Sequence, residues 1–279
     1  MALTVRTNVG ALNAIKTLNS TQNSLTKSLG RVSSGSRINK AGDDAAGLSV
    51  SSRMKSDNVS LKAAMRNTND GISLIQTAEG SLNEVYSILT RMRELAVQGA
   101  NDTYSATDRN QIQIEFNQLR LEISRISADA NFNRITVLTS TRTLQFQIGI
   151  NNTSQNQFSI AMSTVAASLG ALSIGSGQVS IGKTNSSLAR AAITKIDTAL
   201  SSVNDKRARL GAFQNRLESA LNTASNYSQN LSSAASQISD VDYASESANL
   251  TKFQIMQQAG VAALGQAKAI PQSILSLLG

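Results

Sequence analysis

Apolar residues recur at alternating steps of three and four in five separate stretches of this 279-residue chain. The first stripe is Ala11, Ile15, Leu18, Gln22, Leu25, Leu29 and Val32. The second, Ile75, Ala78, Leu82, Val85, Leu89, Met92 and Ala96, has no polar interruption. A third runs from Ile112 through Phe116 and Ile123 to Ala130, and a fourth, the longest, from Ala189 to Ile238. The last is Phe253, Met256, Gly260, Ala263, Ala267, Ile270, Ile274 and Leu277. Steps of this kind keep one helix face in register with a partner helix, as in a coiled coil. A helix of about fifty residues rises on the order of 75 Å, so the spacing predicts a rod of long helices.

Composition narrows the chemistry available to such a rod. The chain has no histidine, cysteine or tryptophan. Imidazole bases, thiolate nucleophiles, cysteine or histidine metal ligands and disulfides are therefore excluded. No phosphate-cradling glycine loop occurs, and no base stands ready to activate a serine. The expectation is a protein without enzymatic activity and without a cofactor. No run of about 18 apolar residues exists, which predicts no membrane insertion. The first twenty residues lack a hydrophobic stretch of the signal-peptide type.

The net charge of +8 is unevenly placed: Arg6, Lys16, Lys27, Arg31, Arg37 and Lys40 stand in the first forty residues without one acid. A basic arm can bind nucleic acid. Here the cations are spread singly between apolar positions, and no aromatic residues interleave to stack bases, so nucleic acid is not an expected partner. Neighbouring copies of the chain, or Asp240, Asp242 and Glu246 near its other end, are the candidates to compensate them.

Breakers separate the helices. Ser33-Ser34-Gly35-Ser36 ends the first, and Asp43 or Asp44 is a candidate N-cap for the second. The aspartate pair reads better as a cap than as a metal site, because no other ligands cluster beside it. Gly99 to Thr107 reads as a turn, with a cap at Thr107 or Asp108. Between 143 and 162 the period switches to two: Leu144, Phe146, Ile148 and Ile150 alternate, Asn151-Asn152 supplies turn chemistry, and Phe158, Ile160 and Met162 alternate again. That pattern predicts a β-hairpin. Residues 163–187 are rich in Ser, Gly and Ala and predict a short variable surface loop.

The segment 29–53, LGRVSSGSRINKAGDDAAGLSVSSR, resembles the bacterial flagellins, as do LTRMRELAVQ at 89–98, IGIN at 148–151 and the ending IPQSILSLLG. Four matches in the right order are far more specific than one short motif. The resemblance implies a mainly α fold of long antiparallel coiled-coil-like helices with a small β-hairpin. Residues 1–42 and 240–279 would be the two halves of an inner coiled coil, with Ile15, Leu18, Leu25, Leu29, Phe253, Met256, Ile270, Ile274 and Leu277 as its assembly residues. Residues 43–162 and 188–239 would form the rod domain, with 163–187 standing where larger flagellins carry outer domains.

The resemblance also implies a function: a secreted, extracellular subunit that polymerises with itself into the flagellar filament used for motility. Its helpers would be type III export, an export chaperone and a filament cap protein. The nearest rival within the resemblance is a hook–filament junction protein, which shares the terminal helices. In flagellins sensed by Toll-like receptor five, the contact is an Arg and a Leu in the RELAVQ helix and a Glu on the next. The matching positions are Arg91, Leu95 and Glu115, with Gln98 on the same helix face, and the same face packs between protofilaments. Helical spacing from Arg91 leads one to expect Leu95 as an exposed apolar residue flanked by charge. At Thr90 the chain departs from the sensed flagellins, which usually have Gln there, and that implies weakened recognition.

Overall fold

The computed structural model describes residues 7–175, 179–182 and 186–278, with side chains through residue 269. It is mainly helical: α1 (Val9–Ser34), α2 (Ala45–Gly99), α3 (Ala106–Asp129), α4 (Ser186–Ser239) and α5 (Tyr243–Leu278). Two small antiparallel hairpins lie between α3 and α4, β1 (Asn131–Phe132) with β2 (Ile135–Thr136) and β3 (Thr143–Gln147) with β4 (Gln157–Ala161). The chain's own contacts gather into two units, 1–58 with 229–279, and 59–228. These boundaries fall inside α2 and α4, not at the breakers near 42 and 240.

In the 59–228 unit the stripes of the sequence form the core. Ile75, Ala78, Leu82, Val85, Leu89, Met92 and Ala96 are all fully buried, joined by Phe116 and Ile123 of α3 and Ile196, Val203, Leu210 and Leu217 of α4. The predicted hairpin is present. Phe146 faces Phe158 across its ladder, and Phe158 meets Phe213 of α4 edge-on, with ring centroids 5.7 Å apart. A side chain at Gly71 would crowd Leu217 and Phe146, at 3.2 and 3.4 Å, so glycine is what lets α2 lie close under the hairpin.

Three expectations need correction here. Among the described residues 163–175 and 179–182 there is no long regular element, but these residues are not a surface appendage. Val165, Ala167, Ile174 and Ile181 are fully buried. Aperiodic apolar residues can pack as well as periodic ones if their backbone groups find partners. Here α3 supplies them. Ser127 Oγ donates to Ala167 O at 3.0 Å, and Gln113 Oε1 accepts from Ile181 N at 2.7 Å.

The cap of α3 is neither Thr107 nor Asp108 but Ser105. Its hydroxyl accepts from the Asp108 amide, while the Asp108 carboxylate accepts from the Ser105 amide at 3.0 Å. This reciprocal box places Asp108 at the third helical position. The third correction is the β1–β2 hairpin, which periodicity missed because its strands hold two residues each. Its signal was local: Asn133 and Arg134 both take positive φ, at 46° and 65°, the backbone of a two-residue turn.

In the other unit α1 and α5 pair antiparallel. Asn8 Nδ2 donates to Ala267 O at 2.7 Å, Gln257 Nε2 to Gln22 Oε1 at 2.6 Å, and Ser28 Oγ to Glu246 O at 3.4 Å. The seam shares Ala11, Leu18, Leu25 and Val32 with the expected stripe, but between them it uses Ala14, Thr21 and Ser28. Ile15 and Leu29, expected in the seam, are 39% and 55% exposed. On α5 the seam is Phe253, Gln257, Gly260, Leu264 and Ala267, which leaves Met256 and Ala263 outside. Small seam residues explain the change of phase. A Cβ on Gly260 would lie 3.2 Å from Leu18, so larger side chains at these levels would push the helices apart.

Candidate functional site

The paired ends are tied where α1 runs out. Gly35 closes α1 with φ +69°, and a Cβ there would come within 2.9 Å of Tyr243 Oη. Beyond it the chain lies alongside the α4–α5 junction. Ser36 and Asp240 form an antiparallel bridge, Arg37 N donates to Ser239 O at 2.7 Å, and Val241 N donates to Gly35 O at 3.1 Å. Asp44 caps α2, its carboxylate accepting from the Gly47 amide at 2.8 Å. Asp43 instead holds the loop: it accepts from the amides of Asn39 and Lys40 and pairs with Lys27 at 2.8 Å.

Among the described residues, two of the five early cations thus meet acids, Lys27 on Asp43 and Arg31 on Glu246 at 3.8 Å. Asp242 caps α5 through the Ala244 and Ser245 amides, and Asp240 accepts from Ser239 Oγ. Of the expected inner-coil residues, Leu18, Leu25 and Phe253 line the seam, while Ile15, Leu29 and Met256 face away from it. The side chains of Ile270, Ile274 and Leu277 lie outside the described residues. On the outward sides Val9 (59%), Leu12 (56%), Ile255 (60%) and Val261 (56%) are also exposed. Isolated exposed apolar residues are ordinary, and this set along one helix pair makes its outside a candidate interaction surface.

The second candidate surface lies on α2 and α3. Arg91 reaches Glu94 on its own helix and Glu115 on α3, both at 2.9 Å. Those two partners, Glu94 first, raise the guanidinium's pKa further. Gln98 Nε2 donates to Tyr104 Oη at 3.2 Å, in the turn before α3. The structure therefore brings Arg91 and Glu115 together at the surface, both about half exposed, with Gln98 at one end. Leu95 departs from expectation: it is 2% exposed and belongs to the core. Leu95 lies one turn from Arg91, on the flank that Arg91 extends toward α3, and that flank is covered. Arg93, two residues along and on the opposite flank, pairs with Asp197 of α4 at 2.6 Å. A helix with partners on both flanks buries more than its central seam, which spacing from one stripe does not reveal.

Among the described residues no group of three acidic, histidine or cysteine side chains is placed to hold a metal, and no helix is long and apolar enough to cross a membrane.

Comparison with known proteins gives a consistent result. The chain matches the family described as "Bacterial flagellin N-terminal helical region" over residues 5–143 and "Bacterial flagellin C-terminal helical region" over 193–278. It is 43% identical over 272 residues to the flagellin of Halalkalibacterium halodurans, covering 97% of this chain and 98% of that one. It is 42% identical to the "Flagellar filament 33 kDa core protein" of Treponema phagedenis and 40% identical to the flagellin of Bacillus subtilis, each with the same coverage. Among solved structures, Bacillus cereus flagellin aligns with TM-score 0.49 and 32% identity, over 57% of this chain and 88% of that one.

The Asp43 cluster has a pH signature. The Lys27 ammonium, then the Asn39 amide, lower the Asp43 carboxyl from 3.8 to about 2. A carboxyl held below its unfolded value stabilises the fold above about pH 4 and loses that contribution as pH falls toward 2. Asp43→Asn should therefore lose less stability than the unaltered chain between pH 5 and pH 3, measured by denaturant unfolding. Equal losses in both would contradict the role given to the Lys27–Asp43 pair.

Proposed function

Because the chain belongs to the bacterial flagellin family, whose members are structural proteins and not enzymes, we propose that its terminal helices are the elements that join one copy to the next. The chain is a structural subunit of the bacterial flagellar filament and polymerises with itself. The relatives it matches along nearly their whole length are named flagellin or filament core protein, which favours the filament subunit over the hook–filament junction protein.

One observation carries the assembly reading. The α1–α5 pair sets small residues between Leu18, Leu25 and Phe253 in its seam and keeps Val9, Leu12, Ile15, Leu29, Ile255, Met256 and Val261 on its outside. Copies of the same pair can cover these residues at about 25 cal/mol per Å² of apolar surface removed from water. A head-to-tail contact of this kind, whose rotation does not close, generates an open helix. Segments 1–42 and 240–279 then act as one assembly domain. Export through the flagellum's type III apparatus, with a chaperone covering the terminal helices before assembly and a cap protein guiding their addition, fits this division.

Recognition by Toll-like receptor five is a finer proposal for the same family surface. The exposed Arg91–Glu115 pair offers the charged contact. Leu95 supports it from beneath, and Gln98 borders it.

Two experiments test these readings. Removal of residues 240–279 should leave a soluble chain, its 59–228 core intact, that does not polymerise under conditions where the full chain does. Normal filaments from the truncated chain would refute assembly by the terminal helices. For the receptor, Arg91→Ala should weaken the signal of monomer on reporter cells by about tenfold or more, the scale of an interface arginine hot spot. An undiminished signal would remove Arg91 from the contact.

A further inference from the structure

The chain offers an oxidant few targets. It has no cysteine and no tryptophan, so hydrogen peroxide is left with the thioethers of six methionines. Five of these are among the described residues. Met92 and Met162 are fully buried in the core of the 59–228 unit. Met54 and Met65 are half-buried. Met256 stands apart at 41% exposed, on the outside of the α1–α5 pair.

Its surroundings leave the side chain within reach of a small oxidant. Met256 and Phe253 of α5 line a groove of about 530 Å³ whose other wall includes Asn13, Lys16, Thr17 and Ser20 of α1. That space is many times the volume of a small solvent molecule. Met256 also belongs, with Ile255 and Val261, to the exposed apolar set of α5 that copies of the chain would cover. Met256 thus combines oxidisable chemistry, exposure and a place on the assembly face.

We propose that Met256 is a reversible oxidation site that controls addition of the chain to a filament. A sulfur lone pair attacks one peroxide oxygen and the O–O bond breaks. The thioether becomes a sulfoxide, and the peroxide is reduced to water. The sulfoxide oxygen is a polar acceptor, and a copy that covers it must take it out of water. Oxidation of the free chain therefore opposes assembly, and assembly in turn shields the thioether. A methionine sulfoxide reductase, which oxidises two thiols to a disulfide as it removes the oxygen as water, restores the apolar surface. This inference rests on the filament reading and adds a condition under which a subunit fails to join.

Peptide mass spectrometry of the full-length chain in dilute hydrogen peroxide, free and in filaments, tests the accessibility of the site. Met256 should oxidise about tenfold or more faster than Met92 and Met162 in the free chain, and about tenfold or more slower once assembled, since susceptibility follows exposure. Seeded elongation tests the consequence, with circular dichroism confirming that the oxidised chain keeps its helices. Chain oxidised at Met256 should add to untreated filament fragments about tenfold or more slowly, the scale of burying an unpaired polar group. Both sulfoxide reductases with dithiothreitol should restore the rate. Met256→Leu, a volume-conserving change, should keep its untreated rate after peroxide. Normal elongation by oxidised chain, equal slowing of Met256→Leu by peroxide, or equal oxidation in free chain and filament would each overturn the proposal. Should Met256→Leu assemble poorly before treatment, the reductases decide with the unaltered sequence. Recovery that tracks reduction at Met256 supports the site, and no recovery overturns it. An untreated chain that fails to elongate would sink the filament reading itself, which separates the two failures.

Discussion

The antiparallel pairing of α1 with α5 depends on small residues set between the large ones of its seam, Leu18, Leu25, Phe253 and Leu264, which let the helices approach closely. Ala14, Thr21 and Ser28 on one helix and Gly260 and Ala267 on the other take the inside. Close approach then lets side chains reach across to backbone, as Asn8 does to Ala267 and Ser28 to Glu246. Ile15, Leu29 and Met256, at levels where a small or polar neighbour takes the inside, are left facing outward. A helix pair with a lean interior and greasy flanks has only part of its stabilisation available within one molecule. That imbalance is what the proposed assembly through the terminal helices would relieve.

The 59–228 unit solves the opposite problem. Its helix α2 has neighbours on both flanks, shown by Arg91 reaching Glu115 of α3 and Arg93 reaching Asp197 of α4. The uninterrupted stripe from Ile75 to Ala96 is fully buried as a result, and Leu95 is buried on the side. Even the aperiodic 163–182 stretch contributes core residues, because Gln113 and Ser127 satisfy its backbone. The surface left to this unit is polar, with acids and bases mixed on each helix and several of them paired, as Arg125 is with Glu122 and Asp129. Such a body has the buried core to stay folded alone.

The long helices, their order and the main hairpin were legible in the sequence, because periods of 3.6 and 2 are properties of the backbone and survive any partner. So was the family, through segments whose residue types are fixed by local geometry, such as Gly35 at a positive φ against Tyr243. What periodicity could not decide was phase. Ile15 and Leu29 are as well spaced as Ala14 and Ser28, and hydrophobicity favours the larger pair. Only the interhelical distance selects the smaller one. Leu95 was misplaced for a related reason, since a single stripe counts one partner helix and α2 has two. The Ser105 cap was readable as Ser-x-x-Asp, but Thr107 and Asp108 drew attention to the wrong position.

The most direct test of the account compares backbone hydrogen exchange in the monomer and in the assembled filament. If the outward faces of α1 and α5 are covered only by other copies, amides in 9–34 and 243–269 should exchange readily in the monomer. They should be slowed by about a hundredfold or more in filaments. Amides in 75–96 should be protected in both states. Equal and strong protection of the terminal helices in monomer and filament would contradict the claim that these helices are completed by assembly.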